Sequence, residues 1–209
     1  QDDLVLTQAM STFFGRQTFK DASEFKKLQI RHFFKNYLEL KERGTRLLKE
    51  LGETELLQKD VEEFIKKGVP HFYEEEKSLT LHKQYVSELP LRLRAYVECA
   101  SILFADVDTI QLLKIHIHSG KLSFLGYEGF ESTPIPKLIE RVKVSLWHQR
   151  VTYYDYLDEY KPKPLYLKSV FLNEAAIDFK KQKTFDEKLD LYGLAPSNPS
   201  YGMPFDALR

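Results

Sequence analysis

Apolar and polar residues alternate most regularly in residues 112–127, LLKIHIHSGKLSFLGY. The dipeptide Ser119-Gly120 in the middle predicts a hairpin turn, and this turn would pair His116 with Ser123. Because side chains alternate across a strand, one face of the hairpin is apolar and the other is basic and rich in imidazole. The apolar face consists of Ile115, Ile117, Leu122 and Phe124, and the polar face consists of Lys114, His116, His118 and Lys121. The pattern therefore predicts a core wall on one side and an anion-facing surface on the other.

Apolar residues at helical spacing predict a largely helical first half of the chain. The predicted helices are Asp2–Phe14, Asp21 to about Leu51, Glu55–Lys67, Ser78–Glu88 and Leu91–Phe104. At the start of the longest helix, Asp21 with Glu24 resembles a capping box. Within it, Gly44 interrupts the apolar stripe, which predicts the close approach of another element. Residues 68–77 are predicted to form an acidic loop.

The residues after the hairpin are predicted to be mainly β-strands. The predicted strands are Val142–Trp147, Val151–Tyr156 and Leu165–Leu172, with a helical turn at Pro136–Arg141 and a closing helix at Thr184–Tyr192. The predicted fold class is α+β, with a helical N-terminal half packed against a small antiparallel β-sheet in the C-terminal half. Its regions are residues 1–111 (helical), 112–194 (sheet and closing helix) and 195–209 (a loosely ordered tail), and together they form one composite domain.

The charge of the chain is balanced, with 31 basic and 31 acidic side chains in 209 residues. The whole molecule therefore has no net field that would attract nucleic acid or an anionic membrane, and any such surface must be a local patch. Lys27, Arg31 and Lys35 follow one another at i,i+4 on the predicted long helix. They form either an ordinary solvated face or a ridge that contacts phosphates.

The single cysteine, Cys99, excludes an intrachain disulfide and fits a reducing compartment. It lies in an apolar run, which predicts a buried structural thiol. No apolar run approaches the roughly 20 residues of a membrane-spanning helix, and no signal peptide is recognised at the start. Residue 1 is Gln rather than Met, which predicts a fragment or a processed product.

Candidate chemistry is concentrated on the polar face of the hairpin. His116 and His118 could chelate a metal, but a zinc site needs a third protein ligand; the alternatives are an anion-facing role and an ordinary solvated strand. Aromatic residues interleaved with basic ones suit base stacking and equally suit an ordinary sheet. These aromatic residues are Trp147, Tyr153, Tyr154, Tyr156, Tyr160 and Tyr166. Gly-x-Gly, Gly-x-Ser-x-Gly and His-Glu-x-x-His are absent from the sequence, so a complete catalytic apparatus is not expected.

Several segments in one order resemble a known family. The runs LPLRLRAYVECA and LLKIHIHSGKLSFLGYEGF resemble the C-terminal region of the DNA phosphorothioation-associated methyltransferase family. FKKLQIRHFFKNYLELKERGTRLL is similar to the long helix that precedes this region there, and ERVKVSLWHQRVTYYDY and PLYLKSVFL follow in the family's order. The polar residues that match the family pattern are Arg94, Tyr96, Lys114, His116, Lys121 and Lys168.

The resemblance implies a cytoplasmic accessory domain of an S-adenosylmethionine-dependent methyltransferase in bacterial DNA modification. The cofactor would belong to a missing N-terminal domain, so this chain is expected to hold no cofactor or metal and to be inert alone. The expected role is to position DNA, with binding that strengthens toward pH 6 as histidines protonate. The candidate DNA contacts are Lys27, Arg31, Lys35, Lys114, His116, His118, Lys121, Arg150 and Lys168. The alternative is a protein-interaction module that docks the methyltransferase domain of the same polypeptide or another phosphorothioation-system protein without contacting DNA.

Overall fold

The computed structural model describes residues 1–14, 22–200 and 202–207 of the chain. The α-helices in these residues are α1 (Asp2–Phe14), α2 (Glu24–Phe33), α3 (Tyr37–Glu50), α4 (Thr54–Ile65), α5 (Leu91–Phe104) and α6 (Phe179–Leu191). The strands are β1 (His71–Glu74), β2 (Ser78–His82), β3 (Leu112–His116), β4 (Lys121–Glu128), β5 (Lys137–Ser145), β6 (Arg150–Asp155) and β7 (Lys163–Pro164). Short 3-10 helices cover Lys83–Glu88, Lys168–Phe171 and Phe205–Ala207.

The strands form one sheet in which every neighbouring pair is antiparallel. Its order is β1-β2-β3-β4-β5-β6, and β7 pairs with β5. The helices precede most of the strands along the chain, so the predicted α+β class is confirmed.

The sheet begins earlier in the chain than the sequence predicts. β1 occupies part of the predicted acidic loop, and β2 occupies the start of the helix predicted from Ser78. Leu79 and Leu81 are fully buried and alternate with the polar residues Ser78 and Thr80, and this alternation is the period of a strand rather than of a helix. The region predicted to be helical, residues 1–111, therefore also holds two strands of the sheet.

The predicted long helix from Asp21 to Leu51 is wrong, because α2 ends at Phe33 and α3 begins at Tyr37. Between them Phe34 is extended and buried, and the side chain of Asn36 caps α3 by accepting a hydrogen bond from the Glu39 backbone N–H (2.9 Å). α2 is capped by Ser23, whose hydroxyl accepts from the Lys26 N–H (3.2 Å). Asp21, the predicted cap, lies outside the described residues.

The prediction that another element approaches closely at Gly44 is confirmed. A Cβ atom at this position would lie 3.0 Å from the backbone nitrogen of Ala9 and 3.1 Å from Cγ of Gln8. α3 can therefore pack this closely on α1 only while residue 44 lacks a side chain.

The hairpin forms with its two predicted faces but with a different register. His116 pairs with Lys121 and Ile115 pairs with Leu122, because residues 117–120 form a four-residue turn instead of the predicted two-residue one. The partner of each paired residue moves by two positions, and an even shift leaves the paired side chains on their predicted sides of the sheet.

Two apolar cores lie on opposite faces of this sheet. The apolar face, defined by Ile115, Leu122, Phe124, Val142 and Val144, packs under the helices and shares its core with Ile30, Leu40, Phe64 and Leu93. The opposite face is the polar face, and one half of it is covered by the segment after β6. This second core contains Leu112, Leu125, Leu138, Tyr156, Leu165 and Phe171.

The remaining C-terminal predictions are partly corrected. Pro136–Arg141 is not a helical turn, since β5 begins at Lys137, and Leu165–Leu172 is not a strand, since Lys168–Phe171 is a 3-10 helix. The closing helix is confirmed as α6. The tail, predicted to be loosely ordered, makes specific contacts: the Tyr166 N–H donates to the Pro199 carbonyl (2.9 Å), and the Tyr166 hydroxyl donates to the Met203 carbonyl (2.7 Å).

Candidate anion-binding site

The uncovered half of the polar face has a depression over Ser123. Strand register places Lys114 and Lys143 on either side of Ser123, in one row across β3, β4 and β5. Neighbouring strands lie about 4.8 Å apart, so the two lysine Cα atoms are about 10 Å apart with a short side chain between them. The resulting depression has a volume of about 180 Å³. We call it the Ser123 depression.

Basic and hydroxyl side chains line this depression. Its cations are Lys114, Arg141, Lys143 and Lys163, and its hydroxyl groups belong to Ser123, Tyr127, Tyr156 and Ser200. None of the described residues that line it is an aspartate or a glutamate. The walls therefore provide positive charge and hydrogen-bond donors without a carboxylate to compete with an anion.

Little of this positive charge is neutralised by the protein. Lys114 makes an ion pair with Glu74, with Nζ 3.3 Å from Oε2. Among the residues that the structure describes, Arg141 and Lys143 have no carboxylate within salt-bridge distance. Partial burial, together with the charges of Arg141, Lys121 and Lys114, lowers the pKa of Lys143. The cluster is thus held together against mutual repulsion.

Arg141 is oriented by an aromatic ring rather than by an acid. Its guanidinium carbon lies 4.2 Å from the ring centroid of Tyr154, which is within the range of a cation–π contact. Its Nε is buried and has no hydrogen-bond partner among the described residues. A buried N–H without an acceptor costs free energy, so this donor gains if an anion binds beside it.

His116 contributes a neutral imidazole. Its Nε2 lies 3.0 Å from Oγ of Ser123, within hydrogen-bond distance. Burial, reinforced by Lys114, Lys143, Arg141 and Lys121, lowers the pKa of His116 to about 4. The expectation that His116 would gain charge and strengthen binding near pH 6 is therefore wrong for the unliganded protein, because its neutral form predominates there.

Two further candidates lie at the edge of the same polar face. Lys121 pairs with Ser145, and Ser145 pairs with Arg150, which puts both basic residues in the row next to the depression. His118 is exposed in the turn after β3, so alternation along the strand does not fix it beside His116. Among the described residues no group of three histidine, cysteine or carboxylate side chains could hold a metal ion.

Four other candidates do not join this site. α2 buries Ile30 in the core of the apolar face, so Lys27 and Arg31 lie in the helical layer on the other side of the sheet. Lys27 pairs with Glu24 (2.8 Å), and Lys35 follows the end of α2, so the three residues do not form a continuous i,i+4 ridge. Lys168 is buried and donates to the carbonyls of Phe130 (2.8 Å) and Thr133 (2.7 Å), so it holds a loop in place instead of facing a ligand.

Three cations of the site were missed by sequence reasoning. Arg141 and Lys143 alternate with Val142 and Val144, and that period-2 signal could have placed them on a polar strand face. The sequence instead assigned Arg141 to a helical turn. Lys163 has no local signal, because only the pairing of β7 with β5 brings it to the site.

The remaining family-like positions lie on α5, where Tyr96 contacts the hairpin and Arg94 joins α5 to α1. The Tyr96 hydroxyl donates to the carbonyl of Lys121 (3.1 Å), and Arg94 pairs with Asp3 (2.6 Å). Cys99 is buried as predicted, and burial, reinforced by Glu98, raises the pKa of its thiol to about 12. These residues fix the framework behind the site.

Comparisons with protein-family models, with curated proteins and with solved structures find no match to this chain. In the described part of the chain, no helix is both long enough and apolar enough to span a bilayer. The site is therefore interpreted from its own geometry and charge.

Proposed function

We propose that this chain is a DNA-binding accessory domain of a cytoplasmic, phosphorothioation-linked, S-adenosylmethionine-dependent methyltransferase, and that it contacts DNA phosphates with the uncovered polar face. The observation that carries the proposal is the group of basic side chains on one side of one sheet, in which, among the described residues, only Lys114 has a carboxylate partner. Lysine and arginine that neutralise phosphates release counterions, which supplies affinity even to a protein of zero net charge.

The arrangement of the basic residues suits a polymer. They lie in adjacent rows across β3 to β6, so the charged area extends over four strands, about 14 Å. At one end of this area Trp147 is 53% exposed, and it lies against Gly120 of the neighbouring turn. An exposed indole beside phosphate-binding cations can stack on a base.

Methyl transfer belongs, in this proposal, to a separate domain that binds S-adenosylmethionine. Calorimetric titration of this chain with the cofactor tests this part. No heat of binding is expected, and saturable micromolar binding would contradict it.

The DNA-binding proposal is tested by duplex affinity as a function of salt. If three to five phosphates are contacted, log affinity should fall with log salt at a slope of roughly −3 to −4.5. The variant Lys121→Gln/Lys143→Gln should weaken binding at every salt concentration and make the slope shallower by about 2.

The matched control is Arg31→Gln/Lys35→Gln, which removes the same charge from the helical layer. It should bind as the parent does. Equal losses in the two double variants, or no duplex binding by the parent at about 50 mM salt, where such contacts are strong, would overturn the proposal.

A second candidate function, docking of the methyltransferase domain without DNA contact, is favoured by one surface. Phe25 (70% exposed) and Leu28 (61% exposed) lie on α2, and Phe33 and Leu38 are exposed nearby in sequence. Clustered exposed apolar side chains are typical of interaction sites. Phe25→Ser/Leu28→Ser should abolish association with the separately produced methyltransferase domain if docking is the function, and should leave duplex binding unchanged.

A further inference from the structure

The Ser123 depression differs from the flat basic area around it. Four cations converge on about 180 Å³, and one of them, Lys114, has a carboxylate partner. Three positive charges are thus left uncompensated among the described residues. An internal phosphodiester carries one negative charge, whereas a phosphomonoester carries about −1.5 to −2 near pH 7. The charge of the depression fits the monoester better.

The shape of the depression also favours the end of a chain. Lys163, Pro164 and Ser200 belong to the C-terminal segment that covers the other half of the polar face, and they line one side of the depression. A polymer that crosses the uncovered half of the face meets this wall. It can end in the depression but cannot continue through it.

The donors in the depression match a group with three terminal oxygens. Arg141 and Lys143 both line the depression, and neither has an ion pair among the described residues. The Ser123 hydroxyl lies at the floor, already within hydrogen-bond distance of His116. A phosphomonoester offers three acceptor oxygens to these donors, whereas an internal phosphodiester offers two.

We infer that the Ser123 depression binds a terminal phosphomonoester, with Arg141, Lys143 and Lys163 as its charged ligands and Ser123 at its floor. The terminal phosphate of a DNA strand and a free nucleoside monophosphate share this chemistry. The choice of a DNA end rests on the proposed function, whereas recognition of the phosphomonoester itself does not.

The experiment compares duplexes of one sequence that differ only at their ends. The ends carry a 5′-phosphate, a 3′-phosphate or hydroxyl groups alone, and adenosine monophosphate is titrated separately as the free nucleotide. The parent protein should bind one of the phosphorylated duplexes at least about tenfold more tightly than the hydroxyl duplex. Adenosine monophosphate should weaken binding of the phosphorylated duplex to the level of the hydroxyl duplex. It should leave binding of the hydroxyl duplex unchanged.

Two variants separate the depression from the surrounding face. Lys163→Gln should reduce the preference for a phosphorylated end severalfold, and because Lys163 is exposed this change leaves the core intact. Lys143→Gln should reduce it further. Arg150→Gln, which removes a charge from the edge of the same face, should weaken both duplexes equally and leave the preference unchanged.

Each outcome bears on one proposal or the other. Equal binding of phosphorylated and hydroxyl duplexes would overturn the inference and leave the DNA-binding proposal standing. Binding of adenosine monophosphate that depends on Lys163, without binding of any duplex, would support the phosphomonoester site and overturn DNA binding. A preference that persists in both Lys163→Gln and Lys143→Gln would place the phosphate elsewhere and overturn the inference.

Discussion

The two faces of the sheet are built by the same strands but have opposite tasks. On the apolar face, Ile115, Leu122 and Phe124 are fully buried beneath the helices. On the polar face, their neighbours in sequence, Lys114 and Ser123, line a depression to which none of the described helices contributes a residue. The apolar face obtains its stability from the removal of hydrocarbon from water. The uncovered half of the polar face holds repelling charges and, in Arg141, a buried donor with no acceptor among the described residues.

This contrast separates folding from binding within one hairpin. Substitutions of residues that face the helices should mainly change the free energy of unfolding. Substitutions of their neighbours on the polar face should mainly change ligand affinity. Charged clusters that lower stability persist when they serve a ligand, because the ligand supplies the missing counter-charge.

The largest effect is expected for a core truncation on the apolar face. Phe124 is 1% exposed and packs against Phe104 with ring centroids 5.0 Å apart, so Phe124→Ala should lower the free energy of unfolding by about 3–5 kcal/mol. Ser123→Ala, one residue earlier on the polar face, should cost about 1 kcal/mol through the hydrogen bond to His116. Urea denaturation measures both values. Similar losses in the two variants would show that the faces are not separate.

The second effect is acid sensitivity that originates on the polar face. Burial lowers the pKa values of His82 and His116 to about 4 from an ordinary value of 6.5. Each histidine is then neutral in the folded state while the unfolded chain binds the proton, so stability present above pH 6.5 is lost as the pH falls toward 4. The loss is up to about 3 kcal/mol for each histidine.

Burial is the main cause of the low pKa of His116, and the charged groups that face it act in the same direction. They are Lys114 on β3, Lys121 on β4 and Arg141 and Lys143 on β5, with Glu74 on β1 paired to Lys114. Unfolding midpoints in urea at pH 7.5 and pH 5 should differ less in His116→Gln than in the parent. His118→Gln, in the exposed turn, should keep the full acid sensitivity. An unchanged pH dependence in His116→Gln would refute the prediction.

The third effect concerns packing above the apolar face. Gly44→Ala introduces a methyl group 3.0 Å from the Ala9 nitrogen, where α1 and α3 meet. Alanine favours a helix by about 1 kcal/mol over glycine, but the steric overlap should outweigh this, with a net loss of about 1–2 kcal/mol. Thr45→Ala, at a partly exposed position in the same helix, should be neutral or stabilising. Thermal unfolding measures the stability of both variants. A Gly44→Ala variant more stable than the parent would contradict the close approach of α1 to α3.

The smallest effect is the pH dependence of the proposed phosphomonoester site. The second pKa of a phosphomonoester is about 6, so the dianion is reduced about tenfold between pH 7 and pH 5. The pKa of His116 near 4 keeps that side chain from offsetting the loss. The preference for a phosphorylated DNA end should therefore fall up to about tenfold over this range, measured by competition between labelled duplexes. If the preference for a phosphorylated end rises toward pH 5, a group of the protein gains positive charge and outweighs the loss of negative charge on the phosphate. That result would contradict the prediction.

The elements that local pattern alone determines were predicted well. α5 begins at Leu91 and ends at Phe104 as predicted, because Pro90 sets its start and an apolar run fills its turns. Elements that depend on distant partners were predicted poorly. β1 and β2 are short, with four and five residues, and they become strands because they pair with each other and β2 pairs with β3. Asn36 and the burial of Phe34 interrupt a helical pattern that is otherwise continuous.

The candidate site shows the same division. Alternation in residues 112–127 was enough to put Lys114, His116 and Lys121 on one face, and this survived a two-residue error in register because the side-chain period of a strand is two. The convergence of Arg141, Lys143 and Lys163 with them depended on which strands pair, and a strand's own sequence does not encode its neighbour.

The sequence by itself determined which residues are apolar, that the chain turns back near Ser119-Gly120, and which face the strand residues of that hairpin occupy. Those features follow from local sterics and from the periods of helix and strand. Only the tertiary structure decided that the pKa of His116 is low, that Lys168 is buried and that the basic residues of α2 lie away from the site. These properties depend on burial and on distances between charges, and both are set by contacts among residues far apart in the chain.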